Sequence, residues 1–169
     1  EAAVYAQKSE SILAVIIAAV AVAILGWVVA VVMPAAGSAN TTPTNLAESR
    51  KTAASTFDTP EARGRKIYIT EGCYSCHTMQ VRQIMADAYL GPVSRPGDYA
   101  YDDPALLGTQ RVGPDLTHVG SRELAKDSDK LGRYLRDPRS ERPWSTMPSF
   151  SYLSDDELRD LIAYLQTLK

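Results

Sequence analysis

The sequence predicts an all-α protein that carries a single membrane-spanning helix near its N-terminus. No charged residue occurs between Ser11 and Met33, which is typical of such a helix. Near the other end of the chain, apolar residues after Ser154 recur at the spacing of a helix with one buried face. The charges are nearly balanced, with 18 Lys and Arg against 20 Asp and Glu and a net charge of −2. This balance gives no basic face for nucleic acid.

The uncharged run near the N-terminus has the length of a membrane anchor. At 1.5 Å per residue, the run is about as long as the hydrocarbon core of a bilayer is thick. A cleaved signal peptide is the alternative, but its apolar region usually has roughly 7–15 residues. Lys8 and Glu10 are too few flanking charges to orient the helix. We therefore assign residues 1–34 to a transmembrane anchor that Pro34 ends.

Residues 35–57 are predicted to form a flexible tether. They are mostly small and polar, and such a segment cannot bury enough surface to fold alone. The remaining residues, 58–169, suffice for one small domain with a modest core. The chain has 2 cysteines, close together in sequence, so no disulfide framework staples that core. A large apolar cofactor would supply buried surface that the side chains lack.

Three helices of this domain are predicted from their boundary residues. A Thr-Pro pair at residues 59–60 can cap and begin the first helix. A second helix is expected over residues 128–137, because Pro138 stops it. Ser154 and Glu157 form a capping box at the start of the last helix. The apolar stripe of that helix consists of Leu158, Leu161, Ile162, Leu165 and Leu168.

The middle of the domain is predicted to be irregular. Glycine and proline recur so often over residues 82–120 that no long element fits there. A short hairpin is the one regular feature expected, over residues 98–103.

A Cys-x-x-Cys-His motif at Cys73, Cys76 and His77 carries the chemistry of the sequence. Two thiols at this spacing can add to the two vinyl groups of one haem. The adjacent imidazole is then placed under the iron as its proximal ligand. The motif therefore predicts one covalently attached haem c, with His77 as a metal ligand.

Two other sites use paired cysteines. A structural zinc site needs two more ligands, yet no second cysteine pair exists and His118 is the only other histidine. A thioredoxin-like redox pair needs alternating strands and helices, which this sequence lacks. Haem attachment is therefore the interpretation that we adopt.

The sixth ligand of the iron should lie well downstream of the motif. Met79, Met85, Met147 and His118 are the candidates. Met147 is preferred, because it lies in a proline-rich loop before the last helix, where a stiff backbone could hold its thioether against the iron. Ordinary core packing is the alternative role for this methionine.

The order of these motifs resembles class I cytochromes c across about residues 58–169. A closer resemblance is to the monohaem cytochrome subunit II of cbb3-type haem-copper oxidases. The matching segments are residues 71–77, 81–82, 91–94, 101–102, 111–116, 119–120 and 135–139. The resemblance implies three to five helices around one haem, joined to the single N-terminal transmembrane helix.

The resemblance also implies roles for further residues of the site. The carbonyl of Pro114 would accept the other ring N–H of the proximal histidine and fix its orientation. Met147 would be the sixth ligand. Arg111 and Arg122 are expected to meet the haem propionates, because guanidinium pairs well with carboxylate. A solvated surface arginine is the alternative for each of them.

With both axial positions filled, the protein is expected to be an electron carrier without a catalytic site of its own. The expected partners are other subunits of a membrane respiratory complex, a redox partner cytochrome or copper protein, and membrane lipid. Haem attachment outside the cytoplasm would put the N-terminus inside and the domain on the periplasmic or outer face. A cbb3-type oxidase is the favoured parent complex. A quinol-oxidising alternative complex, a nitric oxide reductase and a haem-based sensor remain alternatives.

Overall fold

The computed structural model of the chain describes residues 2–39, 41–55 and 57–169. It describes the side chains of residues 12–37 but not those of residues 2–11 and 38–39. The parts of the predicted anchor and tether that fall on Glu1, Asn40 and Thr56 lie outside the described residues. The chain forms two compact units, residues 1–41 and residues 42–169. No strand occurs in the described ranges, which confirms the predicted all-α fold class.

The first unit is a helix that continues past Pro34. Helix α1 spans Ala2–Trp27, a π-helical turn follows at Val28–Val32, and helix α2 spans Met33–Ala39. The N–H of Met33 reaches back to the carbonyl of Val28, so the wider turn lies directly before the proline. Proline lacks an N–H and its ring crowds the preceding turn, and a π-turn accommodates both effects. The stretch Ile12–Gly37, 26 residues, is long and apolar enough to cross a membrane.

The second unit begins earlier than the sequence predicts, because part of the expected tether is folded. Thr44 caps helix α3, Asn45–Arg50, by accepting a hydrogen bond from the N–H of Ala47. Leu46, Ala47 and Ala53 are buried with this helix. This segment contains few apolar residues, so its composition does not indicate that it packs against the domain. Its burial depends on partners elsewhere in the domain.

A buried arginine fixes α3 to the rest of the domain. Arg50 is 2% exposed, and its guanidinium donates to the carbonyl of Thr117 over 3.0 Å. Its counter-ion is Asp102, at 3.7 Å, which also lies 4.0 Å from Arg65. A buried charge is stable only when it is paired and hydrogen-bonded. The first folded segment of the domain is therefore held to its interior by polar contacts as well as by apolar ones.

The first long helix of the domain crosses the last one. Helix α4 spans Pro60–Thr70 and helix α8 spans Asp155–Thr167, each with the predicted cap. They meet at Gly64, where a Cβ atom would lie 1.9 Å from the carbonyl oxygen of Asp160. The rings of Tyr68 and Tyr164 pack edge to face at 5.4 Å between centroids. Only glycine allows this close approach of the two backbones.

Three short helices lie between these two. They are α5 at Glu123–Lys126, α6 at Ser128–Arg136 and α7 at Pro138–Glu141. Helix α6 confirms the helix predicted before Pro138. The predicted apolar stripe of α8 is buried and packs in the same core cluster as two residues of α6, Leu131 and Leu135.

The glycine- and proline-rich stretch is irregular, as predicted, but the expected hairpin does not form. A 3-10 turn, Pro96–Tyr99, occupies its place. The carboxylate of Asp98 accepts hydrogen bonds from the N–H of Arg95 over 2.8 Å and from the hydroxyl of Thr44 over 2.7 Å. The side chain of Asp98 thus accepts the hydrogen bond of a backbone N–H group that a strand pair would otherwise use, and the segment forms a turn.

Candidate functional site

The Cys-x-x-Cys-His motif forms a tight turn at the end of α4. Gly72 adopts a left-handed conformation with φ of 68°, and the 3-10 turn Cys73–Ser75 follows it. The N–H of His77 donates to the carbonyl of Cys73 over 3.0 Å, so both cysteines and the histidine belong to one folded unit. Cys73 is partly buried and Cys76 is exposed. Burial raises the pKa of the Cys73 thiol to about 12.

The imidazole of His77 is oriented by a backbone carbonyl. Its Nδ1 lies 2.7 Å from the carbonyl oxygen of Pro114. A carbonyl only accepts hydrogen bonds, so Nδ1 carries the proton and Nε2 is left with a free lone pair. Burial lowers the pKa of His77, and the Pro114 carbonyl partly offsets that effect. A neutral imidazole held in this way is suited to bind a metal through Nε2.

Gly113 makes room for the histidine ring. Its N–H donates to the carbonyl of Cys76 over 2.9 Å, which brings its backbone against the motif. A Cβ atom at Gly113 would lie 2.3 Å from Cε1 of His77. No side chain larger than hydrogen fits there while the ring keeps its position.

Replacing Gly113 by Ala is therefore expected to displace the ring of His77. The overlap should lower the free energy of unfolding by about 1–3 kcal/mol. It should also change the haem spectrum of the purified protein, because the ring of His77 cannot keep both its position and its hydrogen bond to the carbonyl of Pro114. Gly132→Ala is the matched control, because the nearest heavy atom to its added Cβ would be 3.5 Å away. An unchanged spectrum and thermal midpoint in G113A would contradict the tight fit.

The motif opens into a cavity of about 600 Å³. This volume is within the range of pockets that hold small molecules and cofactors, roughly 300–1,000 Å³. Cys73, Cys76 and His77 line one part of it, and Met147 also lines it. Its apolar lining includes Tyr68, Leu116, Val119, Leu124, Leu131, Leu135, Phe150, Leu161 and Leu165.

Met147 is the only one of the four candidate sixth ligands among the residues that line the described cavity. Met79 is 2% exposed in the core, with its sulfur 3.9 Å from the hydroxyl of Tyr164. Met85 is 89% exposed. His118 lies against Gly91, where a Cβ atom would be 2.8 Å from its ring. The structure thus brings Met147 together with the haem motif and leaves the other three outside.

The loop that carries Met147 is held in place on both sides. The N–H of Met147 donates to the hydroxyl of Ser145 over 3.2 Å. The N–H of Phe150 donates to the carbonyl of Leu135 in α6 over 3.0 Å. Met147 therefore presents its thioether to the cavity from a fixed backbone, not from a free loop.

The two arginines that were expected near the propionates take different positions. Arg122 lines the cavity and donates to the carbonyl of Asp115 over 2.7 Å. Arg111 is not among the lining residues. Its guanidinium binds the carboxylates of Asp87 over 2.5 Å and of Asp115 over 3.3 Å. Arg111 thus joins two segments of the irregular stretch.

Asp115 is a buried residue beside the site whose position was not predicted from the sequence. Its carboxylate is fully buried and accepts hydrogen bonds from the hydroxyl of Thr78 and the N–H groups of Gln80 and Thr117. Burial acts to raise the pKa of Asp115, but these hydrogen bonds outweigh it and the pKa is lowered. Asp115 thereby fixes the segment that presents Pro114 to the histidine. A lone aspartate after Gly-Pro gives no signal for this role.

Two further lining residues were not predicted. Arg142 and Trp144 lie on the loop before Met147 and border the cavity. The guanidinium of Arg142 stacks on the ring of Tyr134 at 5.5 Å from its centroid. The Arg-Pro-Trp sequence shortly before Met147 is the sequence feature from which their position at the cavity could have been predicted.

The donor set of the cavity suits a metal that already has equatorial ligands. Among the described residues, no group of three His, Cys, Asp or Glu side chains could hold a metal ion. One imidazole, one thioether and apolar walls cannot complete a protein-only site. His77 and Met147 would instead suit a haem iron as its protein ligands, and the thiols of Cys73 and Cys76 line the same cavity. The residues present therefore fit a haem.

Comparison with known proteins assigns the chain to a family. The family described as "Cytochrome C oxidase, mono-heme subunit/FixO" matches residues 6–166. The chain belongs to the FixO family. As a FixO protein it is a haem-containing, membrane-anchored subunit of a cbb3-type cytochrome c oxidase and takes part in electron transport.

Part of the FixO chain is also similar to a subunit of another oxidase. The chain is 28% identical over 89 residues to "Cytochrome c oxidase subunit 2" of Alkalihalophilus pseudofirmus. This match covers 46% of the chain and 26% of the relative. The chain thus spans about a quarter of the length of that protein.

Proposed function

We propose that this chain carries single electrons through one haem c that is bound covalently by Cys73 and Cys76. The observation that carries the proposal is the convergence of both cysteines, His77 and Met147 on one apolar cavity. When bound, the haem supplies an iron that alternates between Fe(II) and Fe(III). His77 and Met147 would occupy its two axial positions. No position then remains for a substrate, so the chain transfers electrons without catalysing a reaction itself.

The residues around the axial ligands tune the site. Pro114 holds the proton of the His77 ring at Nδ1, which keeps Nε2 available and fixes the plane of the imidazole. The thioether of Met147 favours the reduced iron relative to a second imidazole. The apolar side chains of the walls exclude water, which disfavours the additional charge of the oxidised state.

Cationic groups at the cavity are proposed to pair with the haem propionates. Arg122 is half-buried there, and its burial lowers the pKa of its guanidinium. A carboxylate partner would offset the cost of that burial. Arg142 is the second cation on the lining. We propose a different role for Arg111, which holds Asp87 and Asp115 together beside the site.

The proposal includes a direction across the membrane. Covalent attachment of haem through a Cys-x-x-Cys-His motif is a feature that this chain shares in sequence with c-type cytochromes, which receive haem outside the cytoplasm. We therefore propose that the N-terminus lies inside and that residues 42–169 lie on the periplasmic or outer face. The electron donor and acceptor would be other redox centres on that side or in the same complex.

Covalent attachment can be tested directly on the purified protein. Haem should stay with the polypeptide in acid-acetone extraction and on denaturing gels stained for haem peroxidase activity. Cys73→Ala or Cys76→Ala should remove most of that stain, because each deletes one thioether bond. Ser75→Ala lies between them and should stain like the wild type. Free extraction of haem from the wild type would refute the proposal.

Isolation of the membrane complex through this chain tests its parent complex. We expect the largest co-purifying subunit to be that of a haem-copper oxidase that reduces oxygen. A nitric oxide reductase or a quinol-oxidising complex in its place would reassign the chain to that complex.

A further inference from the structure

The interior of the domain holds a charged cluster outside the lining of the haem cavity. It consists of Arg50 on α3, Arg65 on α4 and Asp102 in the irregular stretch. The side chain of Arg50 is 2% exposed, and those of Arg65 and Asp102 are 11% exposed each. Buried charges are stable only when they are paired and hydrogen-bonded. The charged cluster therefore needs a partner for each of its polar atoms.

The ion pairs within the charged cluster are too long to be direct hydrogen bonds. Nη1 of Arg50 lies 3.7 Å from Oδ2 of Asp102, and Nε of Arg65 lies 4.0 Å from Oδ1 of the same carboxylate. A direct hydrogen bond between such groups is about 2.7–2.9 Å long. Burial raises the pKa of Asp102, and the charges of the two arginines oppose this effect. The carboxylate thus faces two cations at distances that a small polar molecule can bridge.

Several buried donors at the charged cluster have no hydrogen-bond partner among the residues that the structure describes. They are Nε and Nη1 of Arg50, Nε of Arg65, and the hydroxyls of Tyr68 and Thr117. One further nitrogen of each guanidinium binds the backbone, at the carbonyl of Thr117 over 3.0 Å and at that of Pro104 over 2.7 Å. Burial raises the pKa of Tyr68 and the charge of Arg50 acts to lower it, so this hydroxyl lies within the field of that guanidinium. Buried donors without acceptors are costly, so a further ligand is expected here.

We propose that the charged cluster is a binding site for ordered internal water, which joins its two arginines to Asp102 and to the hydroxyls of Tyr68 and Thr117. Water accepts hydrogen bonds from guanidinium N–H groups and donates them to a carboxylate. With two hydrogen bonds of about 2.8–2.9 Å, one water can join atoms that are 3.7 or 4.0 Å apart. A buried water usually makes about three hydrogen bonds, and the unpaired donors and the carboxylate supply that number.

Water fits the charged cluster better than a bound anion does. Two arginines and two hydroxyls would also attract a halide ion, since all of them can donate hydrogen bonds. The carboxylate of Asp102 lies within 4.0 Å of both arginines, however, so an anion between them would be held against a second negative charge. Water avoids this repulsion because it donates to the carboxylate while it accepts from the guanidinium groups.

Water bound in the charged cluster would connect parts of the domain that are far apart in sequence. Arg50 belongs to the first folded segment, Arg65 and Tyr68 to α4, and Asp102 to the irregular stretch. Tyr68 also lines the haem cavity, so the water site would lie behind one wall of that cavity. The hydrogen bonds of the water should therefore contribute to the stability of the folded domain.

A crystal structure of the full-length, haem-loaded chain at a resolution that shows ordered water tests the site directly. Water density is expected within about 2.7–3.2 Å of both a guanidinium nitrogen of Arg50 and the carboxylate of Asp102. Direct hydrogen bonds between the arginines and Asp102, with no density between them, would overturn the proposal. Crystals grown in bromide test the other ligand, because an anomalous bromide peak at the charged cluster would assign the site to an anion and overturn the proposal as well.

Removal of single hydroxyls tests the same site in solution. Tyr68→Phe in the full-length, haem-loaded chain should lower the thermal midpoint by about 2–8 °C, as the loss of a hydrogen bond does in a small domain. If the hydroxyl of Tyr68 bound nothing, its removal would relieve an unpaired buried group and leave the midpoint unchanged or raise it. Thr117→Val is the second variant and should also lower the midpoint, and Thr117 is not among the residues that line the haem cavity.

Tyr89→Phe is the matched control for these variants. Tyr89 is 83% exposed, so the loss of its hydroxyl should leave the thermal midpoint unchanged. The haem content and spectrum of each variant are measured in parallel, which distinguishes a change at the haem cavity from a change at the charged cluster. Unchanged or raised midpoints in both Y68F and T117V would overturn the proposal.

Discussion

Replacing Met147 by Ala is expected to open one axial position of the haem iron and let carbon monoxide bind. Met147 alone among the four candidates lines the cavity, and its backbone is fixed by Ser145 and by the bond from Phe150 to Leu135. The M147A protein should be high-spin or water-ligated in the ferric state. It should lose the weak far-red band that sulfur ligation gives.

Replacing Met147 by His should have a different result. The iron should stay six-coordinate and low-spin, but its reduction potential should fall, because imidazole stabilises Fe(III) relative to a thioether. Met79→Leu and Met85→Leu are the matched controls, because Met79 lies in the core and Met85 is exposed. If M79L or M85L lost the far-red band while Met147→Leu kept it, the assignment would move to that residue.

A shortened chain that begins at Ala53 is expected not to fold, whereas one that begins at Thr42 should fold and bind haem after export. The shorter chain lacks Leu46, whose buried side chain contributes about 2–5 kcal/mol. It also lacks Arg50, and breaking a buried ion pair costs about 3–5 kcal/mol. The sum is comparable to the whole stability of a small domain, about 5–15 kcal/mol.

Circular dichroism and haem content of the two exported proteins measure this difference. Arg50→Gln in the chain that begins at Thr42 isolates the polar part of the effect, and it should lower the thermal midpoint clearly. Lys51→Gln is its control, since that side chain is exposed on the same turn. A folded, haem-loaded protein that begins at Ala53 would show that α3 is dispensable.

The parts of the fold that were predictable have local causes. The caps of α4 and α8 depend on residues three positions apart, Thr59 with Ala62 and Ser154 with Glu157. The end of α6 depends on the proline that follows it. Hydrogen bonds and steric restrictions at this range can be read from a few consecutive residues.

The parts that differed depend on residues far apart in sequence. Arg50 looks like a solvated charge until Thr117 and Asp102 surround it, 67 and 52 positions away. The composition of residues 42–55 therefore suggested a tether where the structure has a packed helix. Pro34 suggested a helix end, because the π-turn at Val28–Val32 that accommodates it has no sequence signature.

The candidate site also contains residues that local sequence predicts and residues whose positions depend on distant partners. Cys73, Cys76 and His77 form a contiguous motif, and Met147 was identified by its place before the last helix. The position of Arg111 could not be predicted, because its partner Asp87 lies 24 positions away and is itself buried. Asp115 was missed for a similar reason, since two of its hydrogen-bond donors, Thr78 and Gln80, lie 37 and 35 positions away in sequence.

The crossing of α4 and α8 at Gly64 has a consequence for the order of assembly. These helices lie far apart in sequence, at Pro60–Thr70 and Asp155–Thr167, and the cavity takes lining residues from both, Tyr68 from α4 and Leu161 from α8. Closing a long chain segment costs entropy before any contact between its ends is gained. While the exported chain emerges on the outer side of the membrane, the haem motif appears well before the last wall of its cavity. Thioether bonds at Cys73 and Cys76 would therefore retain the haem on an unfinished domain that could not yet enclose it.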